Sequence, residues 1–447
     1  MEVTLLPDTK KVWRVVLVGG GRLGQYYADA FCTFADCAVV ALVEPNAERG
    51  AAVCRKFDIP MCHASLPAAL EALRDQTVDI VTIATPGRYF KECVIAAVCA
   101  HGVRAVQVEK PFGGALIDAD AMAEACAAAG VVFAGGALSC AHPHVQEAAA
   151  RLRAGAYGRI VGASVHAWSA ELLGAGCQHT AVLRLLTGAE VVEVVAWCDD
   201  PPALDAEAGA AGGCGWCGRR DAQGRLVDAV DGAEAETGCR EPAAGDTVQL
   251  SAQFTMDNGL VVPVFGQPNL CTADLDDSAL RNAGVRVWTD EGVLVWSAGA
   301  ECGPPRIYRG IDATTGRRAR VDEAYAPVSD DVAALPWPHL STSIRSLVAH
   351  LAAQDDERQQ PSAPPLAVSG DDIRSALEIS TAAYHSAMMG GVPLSLPLVD
   401  RTSRPVYPRG YRWGGGDSVG SAQSAAEVEE KGGRVWEGLS TGYETGL

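Results

Sequence analysis

The stretch Val12–Gly24, VWRVVLVGGGRLG, limits the fold more than any other part of the chain. An apolar run of strand length ends in three glycines, and helical spacing starts at once in Arg22–Phe31 (RLGQYYADAF). A strand that turns on glycines straight into a helix opens a βαβ unit, whose crossover is right-handed and whose next strand lies parallel. The same alternation continues. Cys37–Glu44 (CAVVALVE), Val78–Thr85 (VDIVTIAT), Val103–Val108 and Val131–Ala134 read as strands, and Asn46–Phe57, Leu66–Arg74, Lys91–Ala100 and Asp118–Ala129 read as helices. Near-continuous apolar strands are buried on both faces, so the first 140 residues predict an α/β, doubly wound parallel sheet.

Within that frame Gly19, Gly21 and Gly24 fit G-x-G-x-x-G. Gly19 serves the tight turn, Gly21 lets the backbone approach a pyrophosphate, and Gly24 lets the helix pack on the sheet. The helix start at Arg22 and Leu23 then offers unpaired N–H groups and a positive dipole end to the phosphates. The motif alone is weak. Here it follows a strand, opens a helix, and is followed twenty residues after Gly24 by Glu44, at the end of the next strand. Glu44 would accept hydrogen bonds from a ribose and disfavour a 2′-phosphate, which points to NAD. Arg22 and Arg49 nearby keep NADP possible.

Ligands of such sheets sit outside the carboxyl ends of the strands. Thr85 and Pro86 lie at one such end and Glu109-Lys110-Pro111 at another. Pro111 fixes how the chain leaves the sheet, and Lys110 is delivered to the crevice. An ammonium there can hydrogen-bond a substrate hydroxyl and stabilise the alkoxide character that develops as hydride departs. Glu109 reads as a structural or cofactor-side partner.

The segments GGGRLG, Glu44, ATPG and EKP, in this order, resemble the Gfo/Idh/MocA oxidoreductase family, which includes inositol and sugar dehydrogenases. The similarity continues in Gly155–Gly162 (GAYGRIVG) and in Ala376–Leu398, and covers roughly residues 12–400, poorest in the middle. It implies a Rossmann domain over 1–140 and a C-terminal α/β domain over 141–400 whose large, mostly antiparallel sheet floors the active site. It also implies a homodimer or homotetramer. The implied activity is NAD(P)-dependent hydride transfer between the nicotinamide and a hydroxyl or carbonyl carbon of a sugar, inositol or related polyol. His179 matches the family's histidine as proton relay, but the aspartate four residues earlier is Ala175 and a later acid is Val182.

Read from the residues, the second part alternates with a period of two in Arg159–Trp168 and Val191–Cys198. Thr247–Met256 and Leu260–Gly266 flank Asp257-Asn258-Gly259, and Val285–Trp288 and Val293–Trp296 flank a second turn; both are hairpin signals. Helices over Ser341–Ala353 and Asp371–Met389, the latter with Ser369 as N-cap and Gly390-Gly391 as stop, are expected to cover one face of this sheet. His142, His144, His166 and Trp168 are candidate substrate contacts. Residues 199–246 interrupt the resemblance; their Cys214-x-x-Cys217, with Cys198 and Cys239 distant, is half a zinc motif, and no metal is expected. Residues 401–447 form an extension whose end, 414–447, is expected to be a mobile tail.

A net charge of −19 disfavours nucleic acid and anionic lipid as partners, and no apolar run has the length of a bilayer span. The start lacks a basic and an apolar signal region, which with the cysteine usage points to the cytosol. Two functions fit: a polyol or sugar dehydrogenase, and a non-catalytic sensor that keeps the dinucleotide site. Ala175 and Val182 favour the second; Lys110 and His179 favour the first.

Overall fold

A computed structural model describes residues 11–402 except 86, 101, 111–114, 137, 167–175, 199–249, 267–283, 298–303, 311–313, 315, 317, 318, 322, 336, 337 and 356–362. Pro86, Pro111, Trp168, Ala175, the 199–246 insertion with its cysteine pair and the 414–447 segment therefore lie outside the described residues.

The first part runs β1 (Trp13–Val18), α1 (Arg22–Thr33), β2 (Cys37–Val43), α2 (Ala47–Phe57), β3 (Cys62–His63), α3 (Leu66–Ala72), β4 (Ile80–Ile83), α4 (Phe90–Val98), β5 (Ala105–Val108), α5 (Leu116–Ala129) and β6 (Val132–Gly135). The strands form one sheet in the order β3-β2-β1-β4-β5-β6, with every pairing parallel. The order reverses between β1 and β4, so the crevice for a ligand opens at Gly19 and Ala84. The short β3 escaped the pattern above because two residues carry no periodicity.

Alternate residues of β1 face two helix layers. Val15 and Leu17 pack with Phe31 of α1 and Val53 of α2. Val16 and Val18 pack in the cluster that holds Leu66 of α3, Val94 of α4 and Met122 of α5. A later helix, Pro338–Asp355, completes the first layer through Ile344, Leu347 and Leu351. The expectation that this helix would cover the antiparallel sheet is thus corrected. Its apolar stripe is compatible with either sheet, and polar pins decide. The buried Gln107 amide donates to Gly135 O and to Ser343 Oγ, both at 3.2 Å, and Arg104 pairs with Asp355 at 2.8 Å.

The second part adds α6 (Pro143–Arg153), β7 (Ile160–His166), α7 (Cys177–Thr187), β8 (Val191–Cys198), β9 (Leu250–Met256), β10 (Val261–Phe265), β11 (Gly284–Thr289), β12 (Gly292–Ser297), β13 (Arg306–Arg309) and β14 (Ala319–Val321). Then come α8 (Asp330–Ala333), the Pro338–Asp355 helix as α9, α10 (Gly370–Met388) and β15 (Leu394–Ser395). Nine strands make a second sheet in the order β14-β13-β12-β11-β7-β10-β9-β8-β15. Its pairings are antiparallel save β7 with β10. Both expected hairpins are present, β9–β10 and β11–β12. One face is covered by α7 and α10, whose Leu183 and Ile379 join Val194, Phe254 and Val285 in one core. No described helix is long and apolar enough to cross a membrane.

The α10 start is stapled as its sequence predicts. Ser369 Oγ accepts from Asp372 N at 3.1 Å, and Asp372 Oδ2 accepts from Ser369 N at 2.8 Å. Because α10 packs on both β6 and β8, this cap is shared by the two sheets. Ser369→Ala is expected to lower stability by about 1 kcal/mol, measured as a shifted urea midpoint at unchanged slope.

Candidate active site

The glycine turn divides its labour in a way the coordinates make explicit. Gly19 has φ +106°, and a Cβ there would lie 2.6 Å from Ala84 O, so both backbone conformation and space demand glycine. A Cβ on Gly24 would lie 1.9 Å from Gly19 O, which sets how closely α1 sits on β1. Gly21, the N-cap of α1, is different: a Cβ there would meet no protein atom within 4 Å. Packing among the described residues gives no reason for that glycine. A ligand approaching the backbone at the start of α1 does. The donor set and the open cradle fit a dinucleotide pyrophosphate.

Glu44 lies beside this turn and is 4% exposed. Its Oε2 accepts from Gly20 N at 2.9 Å, and its Oε1 accepts from Asn46 N at 2.9 Å and from Arg49 Nη2 at 2.6 Å. The carboxylate thus anchors the glycine turn and the start of α2 together. It has about four lone-pair sites, so capacity for a ribose hydroxyl remains. Arg49 is committed to Glu44, and Arg22 Nε donates to Tyr26 Oη at 3.1 Å. Thr85 follows β4 at the same end of the sheet, half-buried.

At the end of β5, Glu109 is 1% exposed, accepts from the Tyr27 hydroxyl, and takes the Lys110 backbone N–H at 3.0 Å. Burial, reinforced by this carboxylate, holds the Tyr27 phenol well above its ordinary range. Gly136 leaves room for the pair, since a Cβ there would lie 2.2 Å from Glu109 Oε1. Glu109 thus fixes the backbone at Lys110.

The start of α7 comes to the same place. Cys177 lies within electrostatic reach of Lys110 and Glu109, and burial pushes its thiol up to about 11. Gln178 Oε1 accepts from Ser139 N, tying α7 to the segment after β6. His179, 2% exposed, meets the edge of Trp296 with ring centroids 5.7 Å apart. His142 caps α6: its Nδ1 accepts from His144 N at 3.2 Å, which puts the proton of the neutral ring on Nε2. Burial, then the neighbouring His144, lowers its pKa to about 4. His144 stacks on Tyr325 at 5.1 Å.

Sequence reasoning missed His339, in the first turn of α9. It is buried close to His142 and Lys110, and burial first, then those two neighbours, lower its pKa to about 3. Only the tertiary docking of α9 brings it there, and no local spacing signals it. His166 goes elsewhere. It pairs across the sheet with Phe265, their rings 5.2 Å apart, and its Nε2 lies 2.7 Å from Ser164 Oγ. The neighbouring Val165 pairs with Val285, which pairs with Trp296, so His166 occupies the face of the sheet opposite to Trp296 and His179. The structure brings together Lys110, His142, His339 and the α7 start, and leaves His166 apart.

Comparison with known proteins agrees with this geometry. Residues 13–136 match the family described as "Oxidoreductase family, NAD-binding Rossmann fold", GFO_IDH_MocA. The chain is 32% identical over 156 residues to D-apiose dehydrogenase of Paraburkholderia graminis, covering 35% of this chain and 40% of that protein. It is 29% identical over 119 residues to 4-carboxy-2-hydroxymuconate-6-semialdehyde dehydrogenase of a Sphingobium species, covering 27% and 36%. The chain thus spans well under half the length of these curated relatives in the matched stretches. Among solved structures, an Agrobacterium radiobacter oxidoreductase in complex with NAD+, L-tartaric acid and magnesium superposes with TM-score 0.59 at 15% identity, covering 86% of this chain and 98% of that one. A super-repressor mutant of Gal80p from Saccharomyces cerevisiae gives 0.61 at 15% identity, covering 88% and 99%. At such identities the likeness concerns the fold, which is shared over both sheets.

Three histidines, 142, 166 and 339, have lowered pKa values, to about 4, 4 and 3. Between these values and the unfolded value of about 6.5, only the unfolded chain binds their protons, so stability falls as pH drops through that window. Urea titrations across the acid range are expected to show that His339→Asn flattens the decline by about one proton, up to about 1.4 kcal/mol per pH unit. An unchanged slope would contradict the burial of a neutral His339.

Proposed function

From the match of residues 13–136 to the Gfo/Idh/MocA oxidoreductase family with its NAD-binding Rossmann fold, we propose that the chain is an NAD-dependent dehydrogenase or reductase acting on CH–OH groups. The substrate class is a sugar, inositol or related polyol. Residues 1–140 hold the cofactor and 141–400 the substrate. The observation that carries this reading is the pairing, at one end of one sheet, of a glycine cradle open to a ligand with Lys110 on a backbone pinned by Glu109. Names of the relatives support an oxidised or reduced carbon as the reacting centre.

Gly19, Gly21, Arg22, Leu23 and Gly24 shape and donate to the pyrophosphate site, Glu44 takes a ribose hydroxyl, and Thr85 and Glu109 line the path toward the reacting end. When bound, NAD supplies the hydride acceptor. Lys110 donates to the substrate hydroxyl oxygen and stabilises the charge that grows on it. His179 is the proposed proton acceptor, seated at a helix start whose Cys177 lies within electrostatic reach of Lys110. His142 and His339 wall the Lys110 side as neutral imidazoles. His166 is better read as part of the uncovered face of the second sheet. There Trp197, Val261 and Phe265, each about half exposed, support a second copy of the chain as partner.

A second reading rests on Val182. It is fully buried in α7 where the resemblance implies an acid, so this helix is packed to exclude one. A sensor that binds the dinucleotide without turnover fits that feature, and the shared fold with Gal80p is compatible with it. Incubation with NAD and a panel of sugars and polyols, followed by NADH absorbance, separates the two. The dehydrogenase reading predicts turnover on at least one substrate, and a Lys110→Ala variant about 10²–10³-fold slower in kcat with its NAD affinity retained. Tight NAD binding with no turnover on any substrate would favour the sensor.

A further inference from the structure

Two free thiols sit directly beneath the acid that anchors the glycine turn. Cys54 lies on α2 and Cys62 on β3. The Cys54 thiol donates to Met61 O at 3.7 Å, and the two thiols lie within interaction range of each other. Cys62 is exposed and Cys54 half-buried. Gly50 and Cys54 are four residues apart on α2 and so share the helix face that meets β3. Cys62 Sγ fills the notch at Gly50: a Cβ on that glycine would lie 2.5 Å from the sulfur and 3.4 Å from Glu44 Cβ. The sulfur and the stem of Glu44 thus flank the same notch at Gly50, while the carboxylate holds Gly20 N, Asn46 N and Arg49.

From this contact we infer that Cys54 and Cys62 form a dithiol modification site whose co-reactant is a low-molecular-weight disulfide such as oxidised glutathione, and that its oxidation loosens the Glu44 anchor. The exposed Cys62 thiolate attacks one sulfur of the disulfide, forming a mixed disulfide and expelling one thiolate, which takes up the proton Cys62 gave up. Cys54 then attacks Cys62 Sγ, forms the intrachain bond and expels the second thiol, with its own proton passing to that leaving group. Two protein thiols are oxidised, and one small disulfide is reduced to two thiols. The new bond draws Cys62 Sγ from the Gly50 notch toward Cys54, one turn further along α2, and empties the notch that the Glu44 stem borders. That oxidation would weaken cofactor binding rests on the reading of Glu44 as a ribose acceptor; the bond and the loosening do not.

The full-length protein, incubated with oxidised glutathione, alkylated and digested, should yield a peptide linking Cys54 to Cys62 that dithiothreitol abolishes and a Cys62→Ser variant never forms. Hydrogen exchange of the oxidised protein should be faster than that of the reduced protein at the amides of Gly20 and Asn46. NAD affinity should fall about 5- to 10-fold on oxidation, equivalent to about one hydrogen bond. Absence of the linked peptide, or a linked peptide with unchanged exchange at both amides, overturns the inference. A reduced protein that binds no NAD would instead overturn the cofactor reading, leaving the peptide and the exchange rates to decide the thiol site.

Discussion

The start of α1 rests on the end of β1 so closely that one methyl group on Gly24 would enter the carbonyl oxygen of Gly19. Much of the candidate site depends on that contact. It sets where the N-terminus of α1 lies at the carboxyl end of the sheet, and the contact would widen with any other residue at position 24. Gly19 in turn is pressed against Ala84 O, so the turn is fixed from the β4 side as well. Glu44 fixes it from the third side through Gly20 N. Three strands, β1, β2 and β4, thereby hold one loop.

The second half of the chain is bound to this frame by buried polar contacts and by ion pairs. Helix α9 lies on the first sheet through an apolar stripe and is registered by Gln107, Ser343 and Gly135. A segment after β15 returns to α5, where Arg401 grips Asp120 with two bonds of 2.7 Å and its carbonyl accepts from Ile117 N at 2.7 Å. Such a forked pair restricts geometry more than a point charge does. The α7 start, through Cys177, and α9, through His339, both come within electrostatic reach of Lys110.

Much of this was legible in the residues. The apolar runs of β1, β2, β4 and β5 need burial on both faces whatever surrounds them, and the glycine turn carries its own geometry. Ser369 with Asp372, and Asp257-Asn258-Gly259, are local devices whose partners lie within a few residues. What escaped was long-range. The helix at 338–355 has a stripe that would suit either sheet, and only Gln107, an amide inside an apolar strand, hints at where it docks. His339 reaches Lys110 solely because α9 does. His166 and Trp296 are set on opposite faces by a strand register that no spacing within one segment encodes. Glu44 stood out by its position at the end of a strand, while its grip on Gly20, Asn46 and Arg49 required the folded turn.

The central claim is that the opening at Gly21 is kept for a nicotinamide dinucleotide and for nothing in the protein itself. Calorimetric titration of NAD into the native chain and into Gly21→Ala, alongside their thermal unfolding, tests it directly. The account predicts saturable binding by the native chain, an affinity at least about tenfold weaker for the variant, a loss of about 1.4 kcal/mol, and an unchanged melting temperature. Equal affinity in the two proteins, or no heat of binding in either, would contradict it.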